Sequence, residues 1–286
     1  MTTTVRIPER PDNPHRLGRH VAHDPRSARY AVAGAPTSTL VSRRWTRRIP
    51  VLDQGDLGSC TGNAAAGWLG TDNAIRQGVT TVDGVAVDEA YAVQLYSAAT
   101  RLDDIDGDYP PTDTGSDGLS VAKALQAAGI ARGYQHAFSL QATLTALATA
   151  GPVLLGTVWL QAMFEPAKDG RLTPRGAVAG GHEYLADEID VERRRVWITN
   201  SWAESWGIGG RAYLTWDDLA TLLDQQGDVT VPTPVQVPAP TPTPTPPTPG
   251  PVQPDSPDDA LADALGPLVP AAEAWLAAYS SYRLPR

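Results

Sequence analysis

One cysteine stands in the 286-residue chain, Cys60, within Asp53-Gln54-Gly55-Asp56-Leu57-Gly58-Ser59-Cys60-Thr61-Gly62-Asn63. Ala64, Trp68, Leu69, Asp72 and Ile75 follow at helical spacing, which predicts a helix opening at Cys60 and stopping near Gly78. A thiol in a first helical turn meets unpaired N–H groups and the positive end of the helix dipole. Both lower its pKa and supply thiolate near neutral pH, which is the chemistry of a nucleophile. A small buried core thiol is the competing reading of the same residue. A nucleophile also needs a base, and the base needs a group to orient it. His182 lies in Gly180-Gly181-His182-Glu183-Tyr184, and Asn200 in Ile198-Thr199-Asn200-Ser201-Trp202. The charged turn Val191-Glu192-Arg193-Arg194 joins two strand patterns into an antiparallel hairpin, bringing the His and the Asn together. An amide oxygen of Asn200 can then accept the Nδ1–H of the imidazole.

Gln54 to Cys60, Gly181-His182, and Asn200-Ser-Trp-Ala-Glu-Ser-Trp-Gly-Ile-Gly-Gly210 together resemble papain-like cysteine peptidases, over about residues 41 to 225. The His and the Asn follow the Cys by 122 (182 − 60) and 140 (200 − 60) residues, in the chain order of that family. The resemblance implies an α+β, two-lobed fold, with the Cys on a helical lobe and the His and Asn on an antiparallel β lobe. It implies Cys60 as nucleophile, His182 as acid/base, Asn200 as its orienter, and Gln54 with the Cys60 N–H as oxyanion hole. Trp202 would cover Asn200 and, with Gly181 and Glu183, face a polypeptide substrate. The reaction implied is acyl transfer through a thioester and hydrolysis, without metal or organic cofactor. Leu57 replaces a disulfide cysteine of plant and lysosomal members, and Thr61 and Asn63 replace aromatics, as in bacterial or phage-type members. Glu183 has two readings: it pairs with an arginine of the N-terminal arm, or it reads a basic substrate residue. Asp113 to Gly118 lies near where the family's glycine-lined cleft belongs. The inhibitory pro-segment of secreted members is not expected, because about 40 residues precede the domain.

The elements that must hold these groups are helices in the first half and strands in the second. Helical patterns cover Asp88–Thr100, Ser120–Ala128, Leu140–Ala150 and Asp217–Asp224; strand patterns cover Val153–Trp159, Glu183–Asp190 and Arg195–Thr199, with a further strand at Tyr213-Leu214. The division expected is a basic arm over 1–40, a catalytic domain over 41–230, a Pro/Thr-rich linker over 231–257, and a helical tail over 258–286. The tail's stripe of Leu, Trp and Tyr suits a protein partner.

The net charge of −9 is uneven, because residues 1–50 carry ten arginines against Glu9, Asp12 and Asp24. These arginines lack interleaved aromatics, so docking onto the acidic body fits them better than nucleic acid. His15, His20 and His23 lack a second ligand cluster, and the acidic loop Asp103–Asp108 lacks the turn glycine and closing Glu of a calcium loop. Gly151-Pro152 splits the one apolar stretch, 142–164, that approaches membrane length. With one cysteine and no apolar leader after Met1, a reducing, cytoplasmic setting is expected, or a virion if phage-encoded. Two other functions fit the same residues: a lytic amidase acting on cell-wall peptides, and a scaffold that keeps the fold without catalysis.

Overall fold

The computed structural model describes residues 2–235. The linker beyond 235 and the expected helical tail over 258–286 lie outside the described residues. The order of elements is β1 (Thr3–Val5), β2 (Val21–His23), β3 (Arg43–Arg44), α1 (Cys60–Leu69), β4 (Thr81–Val82), β5 (Val85–Ala86), α2 (Glu89–Thr100) and α3 (Gly118–Ala127). There follow β6 (Ala131–His136), α4 (Leu140–Thr149), β7 (Val153–Leu160), β8 (Val178–Asp190), β9 (Arg195–Thr199), β10 (Arg211–Thr215), α5 (Trp216–Asp224) and β11 (Asp228–Pro234).

Six strands form an antiparallel sheet in the order β10-β9-β8-β7-β11-β6, and β3 pairs with the far end of β8. Every residue of β7 is buried, which is why its sequence reads as an apolar run rather than an alternation. Leu154 and Leu185 face one another across β7 and β8 and join the cluster of α1, α2 and α3. Their neighbours Leu155 and Tyr184 point to the other side, into a cluster built with α4, α5, Trp159, Trp202 and Trp206. The sheet is therefore covered on both faces, and the helical lobe carrying Cys60 packs against the strand carrying His182.

The helices start where their capping residues stand. Asp88, Asp117, Ser139 and Thr215 each accept a hydrogen bond from the backbone N–H three residues on, which satisfies a donor the helix leaves free. Two expectations are corrected. The helix from Cys60 ends at Leu69, because Gly70 packs on Ile49 and the chain turns away; Ile75 is exposed. The linker does not begin at 231: Val231 to Pro234 complete β11, which pairs with β6 and, over Asp228–Thr230, with β7. Both prolines fall beyond the β7 pairing, where a missing N–H costs the sheet less. The N-terminal arm packs on this body. β1 and β2 pair, and Ile7, Leu17 and Val21 are buried in the larger cluster.

Candidate active site

Cys60 is the first residue of α1, and its side chain is fully buried. Asn63, one turn on, ties this end down by donating to the Ser59 carbonyl (3.2 Å), the Ser59 hydroxyl (3.1 Å) and Glu89 (3.0 Å). His182 sits within β8, opposite Thr157 of β7, and is also fully buried. The backbone N–H of Glu183, the next residue, faces the Cys60 sulfur and favours its thiolate. This places the thiol beside the strand segment that carries the imidazole.

His182 Nε2 donates to Asn200 Oδ1 at 2.7 Å. The expectation named Nδ1, and the structure corrects it: the imidazole presents Nε2 to the amide and leaves Nδ1 without a hydrogen-bond partner among the described residues. Asn200 Oδ1 also accepts from the Ser201 N–H (2.8 Å), which fixes the amide's orientation. Trp202 stacks on the His182 ring (centroids 4.6 Å apart, planes 20° apart), so it covers the His–Asn bond. Trp159 meets the same ring edge-on at 4.9 Å. No motif marked Trp159; its place in an unbroken apolar strand pattern was the only signal.

Gln54 is held by both ends of its amide. Its Oε1 accepts from the Ser201 hydroxyl at 2.7 Å, and its Nε2 donates to the carbonyls of Leu57 (2.9 Å) and Arg16 (3.1 Å). Ser201 thus orients Gln54, a role that its place in the Asn-Ser-Trp run did not announce.

The Arg16 carbonyl belongs to the arm, and the arm runs through the site. His15 stacks on the outer face of Trp202 at 4.4 Å. The N–H groups of Gly18 and Arg19 both donate to the Gly181 carbonyl, at 3.2 and 3.0 Å. Ser116 donates to the Gly18 carbonyl (2.9 Å) and accepts from His20 N–H (2.7 Å), so the 113–118 segment forms the opposite wall. Gly18 has backbone φ +158°, and a Cβ there would collide with Gly58 just before the nucleophile. Asp113 locks the wall in place by accepting from Tyr96 Oη (2.6 Å), the Gly58 N–H (3.0 Å) and Arg16 (3.0 Å). His20 is engaged on both nitrogens, by the Ile7 N–H (3.1 Å) and the Thr114 carbonyl (2.9 Å). Residues 15–20 thus lie against Trp202, Gln54, Gly181 and the 113–118 segment.

Closure changes the electrostatics. Burial pushes the Cys60 thiol up to about 12, against the Glu183 N–H and the Arg19 charge. Burial holds His182 down to about 3, although its bond to Asn200 favours the cation. Burial of both groups thus works against the expected low-pKa thiolate, since neither ion of the pair is solvated. Glu183 is buried too, its carboxyl pushed up by burial and by nearby Asp228 against the pull of Arg19. Of its two readings, the structure pairs it with the arm: Arg19 Nε lies 3.9 Å from Glu183 Oε2.

No family model matches the sequence, and no curated protein matches it. Solved structures do. Xylellain, a cysteine protease from Xylella fastidiosa, is 20% identical over 78% of this chain and 98% of its own, with a TM-score of 0.50. Digestive procathepsin L 3 from the larval midgut of Tenebrio molitor is 14% identical over 71% of this chain and 72% of its own, with a TM-score of 0.51. At such identities the likeness is one of fold, and it matches the helical and sheet lobes on either side of Cys60 and His182. The chain has the two-lobed fold of the papain-like cysteine proteases.

Proposed function

We propose that the protein is a cysteine endopeptidase held in a latent form by its own N-terminal arm. The observation that carries the reading is the set of His182–Asn200 (2.7 Å), the oriented amide of Gln54, and a helix-initiating Cys60, gathered around a strand of chain. With the arm withdrawn, Cys60 transfers its proton to His182 Nδ1 and the thiolate attacks a peptide carbonyl. Gln54 Nε2 and the Cys60 N–H stabilise the oxyanion; the Arg16 carbonyl, 3.1 Å from Gln54 Nε2, now occupies that position. His182 returns its proton to the leaving amine, and water then hydrolyses the thioester. Asn200 keeps the ring oriented, and Trp202 keeps water from the bond between them.

The test is covalent labelling and turnover together. An epoxysuccinyl peptide should add once per chain, at Cys60, after the arm is displaced by mild denaturant. Cys60→Ser should abolish both the adduct and hydrolysis of a peptide library. Hydrolysis that survives Cys60→Ser sinks the proposal. A library that includes cell-wall peptides separates an endopeptidase from a lytic amidase.

A further inference from the structure

Next to the nucleophile the arm seats one side chain, Arg19, in a closed acidic pocket. The guanidinium has no exposure; its Nη2 donates to Asp228 and to the Gln226 carbonyl (2.7 Å), and its Nε lies 3.9 Å from Glu183 Oε2. Two glycines keep the space open. A Cβ on Gly156 would run into Glu183, Arg19 and Asp228, and one on Gly118 into Asp228 and Glu183. Asp117, at the head of α3, is buried nearby and feels the Asp228 charge.

Two features point to a ligand other than the arm. Both carboxyl oxygens of Glu183 are buried without a hydrogen-bond partner, and so are Nε and Nη1 of Arg19. Arg19 therefore fills the pocket without saturating it, as a stand-in does. Furthermore, the arm's bonds to Gly181 and Ser116 go through backbone groups, which read no side chain, and its Arg16 side chain is about a third exposed, whereas Arg19 is the arm's fully buried charged side chain. Glu183, which walls the pocket, is the residue directly after His182.

We propose that this pocket selects an arginine side chain of the polypeptide substrate, lysine less well, and that Arg19 occupies it in the substrate's stead. The inference rests on the peptidase reading. Asp228 supplies the charge, the Gln226 carbonyl a second acceptor on the same nitrogen, and Glu183 the inner wall. A planar guanidinium offers donors to all three, whereas an ammonium offers a point charge.

The test uses the full chain carrying Cys60→Ser and Arg19→Ala; Arg19→Gln, which keeps most of the stem, serves if the alanine variant does not fold. Calorimetry measures binding of a peptide of residues 12–23 with arginine or citrulline at position 19. The tethered arm competes equally with both, so their ratio reports the pocket. The arginine peptide should bind at least tenfold more tightly, and Asp228→Asn should erase the difference. Equal binding, or a preference that Asp228→Asn leaves intact, overturns the proposal. The same variants with Cys60 restored are then profiled on a fluorogenic peptide library. Cleavage indifferent to arginine overturns the pocket assignment and leaves the peptidase standing. Arginine-selective binding without cleavage of any peptide upholds the pocket and overturns the peptidase.

Discussion

Replacing Arg19 by alanine should unlatch the arm. Arg19 is fully buried, and its partner Asp228 is about a quarter exposed (26%). Breaking a buried ion pair by removing one partner costs about 3–5 kcal/mol. The exposure of Asp228 and the two unbonded nitrogens of Arg19 argue for the low end. At ~1.4 kcal/mol per tenfold, ~3 kcal/mol raises the open fraction by roughly 10²-fold. The assay is the rate of Cys60 alkylation by iodoacetamide under native conditions at pH 7.5. Because Cys60 has no exposure when the arm is seated, that rate is proportional to the open fraction until it meets the rate of the unfolded chain. Arg16→Ala is the control. Its side chain is about a third exposed (32%), and such pairs contribute ~0–1 kcal/mol, so a change of fivefold or less is expected. Its backbone carbonyl, the group that meets Gln54, survives the substitution. Far-UV circular dichroism checks that each variant is folded. Alkylation of folded Arg19→Ala at the wild-type rate would refute the latch.

Three further outcomes follow from the same geometry. Gln54→Ala should lower turnover of the opened enzyme by ~10²–10³ with little change in substrate binding, and Ser201→Ala should act in the same direction more weakly by freeing the Gln54 amide; steady-state kinetics on a small peptide reads both. His182 is held down to about 3 when buried, against 6.5 when free, so the closed fold refuses a proton that the unfolded chain accepts. Its contribution is intact above 6.5 and is lost as pH falls, by ~1.4 kcal/mol per pH unit. Urea unfolding from pH 7 to 4 should show that slope as a difference between wild type and His182→Gln, and parallel curves contradict it. Lastly, Gly62→Ala should destabilise the fold although alanine favours helices by ~1 kcal/mol. A Cβ there meets the Ala92 carbonyl and the Tyr96 N–H (2.7 Å) of α2, so the two helices must separate, and a lower melting temperature is expected.

What the sequence discloses is what short-range chemistry determines. The helix at Cys60, the hairpin of β8 and β9 and the caps at Asp88 and Thr215 are each set by a few neighbouring residues. The pairing of His182 with Asn200 follows from that hairpin, and only the choice of nitrogen needed coordinates. Hidden from the sequence are the contacts that couple distant segments. Arg19 meets Asp228 across 209 residues, and Gln54 meets Ser201 across 147. β6 and β11 went unseen for a different reason. β6 reads Ala-Arg-Gly-Tyr-Gln-His, with a glycine and two charged or amide residues, and β11 ends in a Pro-Thr-Pro that continues into the linker composition. Their burial comes from neighbouring strands, not from their own pattern. For the arm, the sequence pointed to docking on the acidic body but not to the place, because the partners Gly181, Ser116 and Asp228 are far along the chain.

Closure of the arm does more than occupy space. Burial raises the Cys60 thiol and lowers His182, and both shifts oppose transfer of the thiol proton to the imidazole. With water admitted both shifts relax, and the helix N-terminus at Cys60 favours the thiolate. The latent form we propose is thus blocked twice, by a segment of chain in the cleft and by the loss of the ion pair that would attack. Both blocks have one cause, the seated arm, so they lift together when the arm leaves. A cleft so arranged needs no rearrangement of Gln54, His182 or Asn200 to become active, since the bonds of Gln54 to Ser201 (2.7 Å) and of His182 to Asn200 (2.7 Å) do not involve the arm.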